Sequence, residues 1–361
     1  MMTRIEPMQL GDYQSTAEFL AKNWDKDISY WLNRFKYLWD KNPAFPEDPH
    51  RGYVVKKNGN IAGFCGYFPT KFLLNKREAI ASNGFGLVVD PMLSGSGLGV
   101  KLKYKHAQLS KDKISFATTA NASSLKINYA MGYRLMPRGI EDYNLYSVVP
   151  ITYWGTLKLF FYYSKLSRSV YTLKKLISNL GIIKNKLKYS NSIISNVENV
   201  DNAGQEFDDL WENTKHLYSN TNIRNSDIIN WYLLKTHKVN REMYAYYFNN
   251  EVYGYIIVKE SAFRRIRYML CIDLWVRKEM DQKVISSLIY YAKKQAINKN
   301  CHALLIPIFS IYISLILDKL GLLKLVGGKR NDMYMINKKL AVNITENNSY
   351  FTLMHGDRFT V

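Results

Sequence analysis

The run Leu87-Val88-Val89-Asp90-Pro91-Met92-Leu93-Ser94-Gly95-Ser96-Gly97-Leu98-Gly99-Val100 decides how this chain folds. A β-branched strand stops at a proline, and three glycines at alternate positions lead into a helix. Glycine lets a backbone approach a ligand closely, and a helix N-terminus presents N–H groups carrying partial positive charge. Such a turn suits a diphosphate. No Gly-Lys-Ser/Thr follows, so it is not a P-loop. The antiparallel strands before it, and the lack of a well-placed acid after it, exclude a Rossmann turn.

Upstream, residues 12–40 read as helical, with Tyr13, Ala17, Phe19, Leu20 and Trp24 on one apolar face and Trp31, Phe35, Leu38 and Trp39 on another. Pro43 and Pro46 close that region. Strands are expected over 52–56 and 61–67, joined by Lys57-Asn58-Gly59-Asn60, whose Asn-Gly is a strong hairpin signal. Further strand is expected over 72–75 and 79–89. Downstream, a helix runs to about Ser110, followed by strand 114–118, helix 123–131 and strand 133–135. Strands interleaved with helices after an antiparallel start predict an α/β fold, a mixed central sheet with helices on both faces.

A second motif lies at Asn121-Ala122-Ser123-Ser124-Leu125-Lys126-Ile127-Asn128-Tyr129-Ala130-Met131-Gly132-Tyr133. With Val89-x-Pro91 and the glycine turn, it resembles the GNAT acyltransferase superfamily. Sequences of that family read V-x-P-x-x-R-G-x-G-x-G-x-x-L and then N-x-x-A-x-x-x-Y-x-x-x-G-F. The resemblance covers residues 1–145 in element order and 83–135 in motif.

The resemblance implies a cofactor, acetyl-CoA. Ser94, Gly95, Ser96, Gly97, Leu98, Gly99 and Val100 would hold its diphosphate. Leu87, Val88 and Val89 would pair like a strand with the pantetheine arm, and Asn121 and Ser124 would close on it from the opposite lip of the sheet. The acceptor amine would attack the thioester directly, a backbone amide stabilising the oxyanion. That chemistry needs no metal and no protein nucleophile.

Three departures from the family pattern matter. The usual Arg or Gln before the loop is Ser94. The column of the proton-donating tyrosine holds Asn128, with Tyr129 one residue later and rotated by about 100° on a helix. The strand that often carries a general-base Glu reads Ser82-Asn83-Gly84-Phe85-Gly86. Asn83, Asn128, Tyr129 and Glu78 are the catalytic candidates, with Glu141 and Asp142 further downstream. For the acceptor, the first helices and last strands nominate Trp31, Arg34, Tyr67 and His106, together with Arg224 and Trp231 at the domain junction. Aromatic rings beside Arg suit a sugar linked to phosphate.

The second half echoes the first. Asp27-Ile28-Ser29-Tyr30-Trp31 returns as Asp227-Ile228-Ile229-Asn230-Trp231, and Tyr53…Asn58…Gly63 as Tyr244…Asn249…Gly254. Two GNAT-like domains in tandem are expected: 1–150 binding acyl-CoA, and 201–345 degenerate, with a tail at 346–361. Asp281-Gln282-Lys283-Val284-Ile285-Ser286 takes the loop position there and holds no glycine. Tyr350-Phe351-Thr352-Leu353 reads as a returning strand docked on the sheet, with a frayed tail as the rival. The connector, 151–200, belongs to a run of eight basic residues and no acidic one (143–197) interleaved with apolar side chains.

A chain of 361 residues with 47% hydrophobic and 14% aromatic residues has apolar surface enough for two cores, which excludes a disordered polyelectrolyte. Fifty Lys and Arg against thirty Asp and Glu leave +20, with a pI of about 9.6. That charge is compatible with nucleic acid, a membrane surface, a phosphorylated small molecule, or a composition bias. Three scattered cysteines make neither a disulfide framework nor a metal site, so a cytoplasmic protein is expected. The basic connector nominates peripheral membrane contact. No signature of a dedicated nucleic-acid binder occurs. The leading expectation is an N-acyltransferase acting on a small-molecule amine, an amino sugar linked to nucleotide or lipid in bacterial surface-polysaccharide assembly. Its rivals are a non-catalytic coenzyme- or partner-binding scaffold and a Fem-type aminoacyl transferase.

Overall fold

The computed structural model describes residues 3–45, 50–110, 113–137, 143–163, 196–234, 240–278, 280–329, 332–336 and 344–355. Glu141 and Asp142, most of the basic connector (164–195) and residues 356–361 lie outside them.

After strand β1 (Thr3–Pro7) come helices α1 (Tyr13–Asn23) and α2 (Ile28–Phe35). Asp27 starts α2 by accepting the Tyr30 N–H at 2.6 Å. The chain then makes one wide π-type turn, Lys36–Asp40, which buries Tyr37, Leu38 and Trp39. Trp39 stacks on Phe35 at 4.7 Å, and each such burial contributes roughly 1.5–3 kcal/mol toward fixing these helices on the sheet.

The hairpins form as their turn residues dictate. Strands β2 (Gly52–Lys57) and β3 (Asn60–Leu74) meet at Asn58-Gly59, and β3 joins β4 (Arg77–Val89) at Asn75-Lys76. All four turn residues have positive φ, as a two-residue type I′ hairpin requires. The stretches expected as separate strands, 61–67 and 72–75, are one strand passing through Pro69. Its missing N–H is tolerated there: β2 reaches only Gly66, and the next partner on that edge begins at Phe72. The remaining elements of this half are a short turn (Pro91–Leu93), α3 (Leu98–Leu109), β5 (Ile114–Ala117), α4 (Ala122–Ala130) and β6 (Arg134–Leu135).

The rest of the chain supplies β7 (Tyr143–Pro150), α5 (Tyr153–Tyr163), β8 (Val197–Val200), α6 (Gln205–Thr214), β9 (Asn220–Asn222), α7 (Ser226–Leu233), β10 (Arg241–Phe248), β11 (Glu251–Phe263) and β12 (Ile266–Val276). Then follow α8 (Asp281–Asn298), β13 (Ala303–Pro307), α9 (Ile311–Lys319), β14 (Leu323–Lys329), β15 (Met333–Ile336) and β16 (Ser349–Tyr350).

Two mixed sheets result. The first runs β1-β2-β3-β4-β5-β15-β6, with β9 and β16 added at the far end of β3; the second runs β14-β7-β13-β12-β11-β10-β8. Strand for strand, the two seven-strand orders and their pairing senses agree, down to one parallel pair along each (β4–β5 and β12–β13). The echoed hairpins agree in register too. Gly63 faces Val55 and Gly254 faces Tyr246, each beside a bulge in the same place.

One strand of each sheet is exchanged. β7 pairs with β13 and β14 in the second sheet, although it precedes that sheet in sequence. β15 returns from the far end of the chain and sits between β5 and β6 in the first. A boundary at residue 150 therefore does not separate the two sheets. Their helices share a continuous core, sealed by Trp231 stacking on Tyr37 at 5.1 Å and donating its indole N–H to the Tyr37 carbonyl at 2.9 Å.

Candidate functional site

β4 and β5 are hydrogen-bonded neighbours only around Ser82, Asn83, Ser115 and Phe116. Beyond that point they separate, and β4 runs from Gly84 to Val89 with one edge unpaired. A bulge makes them part: Gly86 and Leu87 both lie opposite Cys65, with Gly86 at φ +68°. A side chain at Gly86 would strain the backbone, and its Cβ would stand 2.9 Å from the Phe64 ring. Between the parted strands opens a cavity of about 620 Å³. Trp24, Tyr30, Trp31, Arg34 and Phe85 line it, together with Cys65, Lys103, Asn121, Ser124 and Asn128.

The glycine turn stands at the outer end of β4. Gly95 and Gly97 have φ of +80° and +76°, and no atom lies within 4 Å of where a side chain would start at either. Here glycine is required for backbone conformation and leaves its surroundings open. Ser96 ties the turn by donating to the Leu93 carbonyl at 2.6 Å. The N–H groups of Gly95, Gly97, Gly99 and Val100 have no acceptor among the described residues. Gly99 and Val100 belong to the unsatisfied first turn of α3, with Gly97 as its N-cap and Gly95 in the turn before it. Ser94 is exposed beside it.

Across the opening, Asn121 caps α4: its Oδ1 accepts the Ser124 N–H at 2.9 Å, which leaves its NH₂ available. Asn128 is buried and lines the cavity, whereas Tyr129, one residue on, is 52% exposed and turned away. The other two catalytic candidates also lie elsewhere. Asn83 points to the opposite face of β4 from Gly84, where it donates to Thr70 at 2.9 Å. Glu78 is exposed near the β3–β4 turn, six residues or roughly 20 Å along the strand from Gly84.

Of the acceptor candidates, Trp31 and Arg34 line the cavity, with the Arg34 guanidinium over the Phe85 ring at 5.4 Å. Tyr67 and His106 are buried behind it. His106 is packed under Gly84, and burial, then the charge of Lys103, hold its imidazole well below the usual range, so it is neutral. Burial pushes the Tyr67 hydroxyl up to about 12. The Cys65 thiol is pushed up to about 11, again by burial, which leaves it protonated and a poor nucleophile. Trp231 belongs to the seam described above.

Arg224 is the largest correction, because it lies in the second sheet's counterpart of this site. There β12 and β13 pair only at Met269–Leu304 and Leu270–Leu305, and β12 carries a bulge before Asp273. The gap is filled from within. Tyr350 donates to the Leu274 carbonyl and packs on Trp275 at 5.2 Å and Phe309 at 5.9 Å. Arg224 forms a fully buried pair with Asp273 at 3.0 Å. Residues 281–286, at the position of the glycine turn, are the first turns of the long helix α8. The returning strand at the C-terminus is real: β16 pairs with β9, and Phe351 stacks on Phe72 at 5.8 Å.

Lys103, Trp24, Tyr30 and Gly86 are site residues that sequence reasoning did not nominate. The doubled glycine of Gly84-Phe85-Gly86 within a strand was a usable signal of a bulge. Nothing local marked Lys103. Among the described residues, no cluster of three or more His, Cys, Asp or Glu could hold a metal.

No protein-family model matches the sequence, and no curated protein does. The fold does match solved structures. A GCN5-related N-acetyltransferase from Anabaena variabilis is similar over 93% of this chain and 73% of its own, with TM-score 0.62 and 10% identity. A probable N-acyltransferase from Enterococcus faecalis is similar over 94% and 73%, with TM-score 0.61 and 10% identity. Saccharomyces cerevisiae N-myristoyltransferase with bound myristoyl-CoA is similar over 92% and 81%, with TM-score 0.52 and 11% identity. At such identity the likeness establishes the fold, that of GCN5-related N-acetyltransferases.

Proposed function

We propose that the chain is an acyl-CoA-dependent N-acyltransferase, with acetyl-CoA as the simplest donor and the amine of a surface-polysaccharide amino sugar as acceptor. One observation carries this reading. An unpaired strand edge, Gly84–Leu87, borders the cavity, and the unpaired N–H groups before and at the start of α3 follow in the turn just past the outer end of that strand, an order that suits an amide-rich arm and then a diphosphate. The open space over Gly95 and Gly97 fits the same ligand. When bound, the coenzyme would supply an acyl thioester already activated for transfer.

This chain's own residues would do the rest. Gly97, Gly99 and Val100 would donate to the diphosphate, and the edge at Leu87–Val89 would pair with the arm. The Asn121 NH₂ would hold the arm from α4, and Asn128 would orient what lies in the cavity. Trp24, Tyr30, Trp31 and Arg34 offer stacking faces and a cation, the usual complement of a sugar. The second half, its own gap filled by Tyr350, would act as a wall. Calorimetry with acetyl-CoA tests the reading. We expect wild-type binding and at least a ~10-fold loss in Gly97→Val, about 1.4 kcal/mol. No binding by the wild type, or equal binding by both proteins, would overturn it.

A peripheral membrane contact is a second proposal, favoured by α5. Its outer face carries Trp154, 73% exposed, and Phe161, 71% exposed, with Lys158 between them. Aromatic rings flanking a lysine are the side chains that settle at a lipid interface. No described helix is long and apolar enough to cross a membrane. Co-sedimentation with anionic vesicles should fall at least ~5-fold in the Trp154→Ala/Phe161→Ala double variant. Equal sedimentation of both proteins would end the idea.

A further inference from the structure

Resting on the acyltransferase reading, we propose that the cavity binds an anionic group of one of its two substrates on Lys103. Lys103 lies on α3, is 4% exposed and lines the cavity. Its ammonium sits 3.5 Å from where a side chain of Gly84 would begin, so the glycine leaves it open to the cavity. No carboxylate pairs with it among the described residues. Its charge rests only on the face of Tyr133, 4.6 Å away, whose hydroxyl is engaged with Ser115 at 2.7 Å. His106, packed under the same glycine, is neutral and supplies no counter-charge.

A buried ammonium without an anion is costly, and an apolar residue of the same length would pack there instead. The rest of the wall has the same bias. Arg34 adds a second cation, and Asp25, the only acid lining the cavity among the described residues, is exposed beside Lys26. A carboxylate or phosphate entering this space gains a partner with no competitor, while a neutral group of the same size leaves the charge bare. The anion has two sources: the far end of a dicarboxylic acyl group, or a substituent on the acceptor amine.

Calorimetry separates these sources. The donor arm compares acetyl-CoA with succinyl-CoA. The acceptor arm compares glucosamine with glucosamine 6-phosphate, each on the protein saturated with coenzyme A. We expect at least a tenfold preference for the anionic member in one arm, abolished in Lys103→Met and retained in Lys103→Arg. The ligand-free Lys103→Met protein should melt at or above the wild-type temperature, because it loses an unpaired buried charge. That would show that the lost preference is not unfolding. Equal affinities in both arms, or a preference that survives in Lys103→Met, overturns the proposal. Failure of coenzyme A itself to bind overturns instead the reading on which it rests.

Discussion

Gly86→Val is expected to weaken coenzyme A binding by about 100-fold or more, a loss near 2.7 kcal/mol. Gly86 holds φ at +68°, a conformation that costs a β-branched residue on the order of 1–2 kcal/mol before any contact is counted. The added Cβ would also meet the Phe64 ring at 2.9 Å, and Phe64 is fully buried against Phe85 and Phe35. The cheapest escape is to flatten the bulge, which returns β4 toward β5 and closes the cavity at its origin. Gly59→Asn is the matched control. It occupies a positive-φ hairpin turn with open space around it, and asparagine accepts that conformation. Calorimetry should find the control within about 3-fold of wild type. Wild-type affinity in Gly86→Val would mean that the parted strands do not make the coenzyme site.

Asp273→Asn is expected to lower the melting temperature by on the order of 10 °C, from a loss of about 3–5 kcal/mol. Arg224 and Asp273 are both fully buried, joined through Nε–Oδ2 at 3.0 Å and Nη2–Oδ1 at 3.2 Å. Tyr255 donates to the same carboxylate at 2.8 Å. The other arm of Arg224 donates to Thr221 and to the Asn222 carbonyl, both at 2.7 Å, and so holds β9 in place. Neutralising the carboxylate leaves a guanidinium with no counter-charge in the core. Replacing both partners, as Arg224→Met/Asp273→Leu, should recover much of the loss, since a buried pair rarely outperforms apolar packing. Asp318→Asn, whose partner Lys324 is partly exposed, should shift stability by no more than about 1 kcal/mol. Thermal melts of the four proteins decide; a melt of Asp273→Asn within ~2 °C of wild type contradicts the argument.

What was legible in the sequence was local. Asn58-Gly59 made its hairpin, Val89-x-Pro91 ended its strand, and the spaced glycines made the open turn before α3, because each is dictated by backbone conformation. Asn128, singled out by the resemblance, is buried and lines the cavity. Tyr129 failed for the reason the helix gives: one residue turns a side chain away by about 100°. Asn83 failed by the alternation of strand faces, being one residue from Gly84 and so on the other side. Trp231 does sit at the junction of the two halves, on Tyr37, and Arg224 ties β9 to Asp273, but neither lines the cavity, and their partners are distant in sequence. The same holds for the exchanged strands. Neither β7 nor β15 carries a pattern that says which sheet it will join.

The exchange constrains how the protein is made. The edge of β5 stays unsatisfied until Met333–Ile336 arrives, roughly 200 residues later, or on the order of 10–40 s of ribosomal synthesis. During that interval the nascent half carries its glycine turn on an incomplete sheet with an open strand edge, the kind of surface chaperones shield. Maturation of the site thus waits on nearly the whole message, and a ribosome that stalls inside the second half leaves a product that cannot close either sheet.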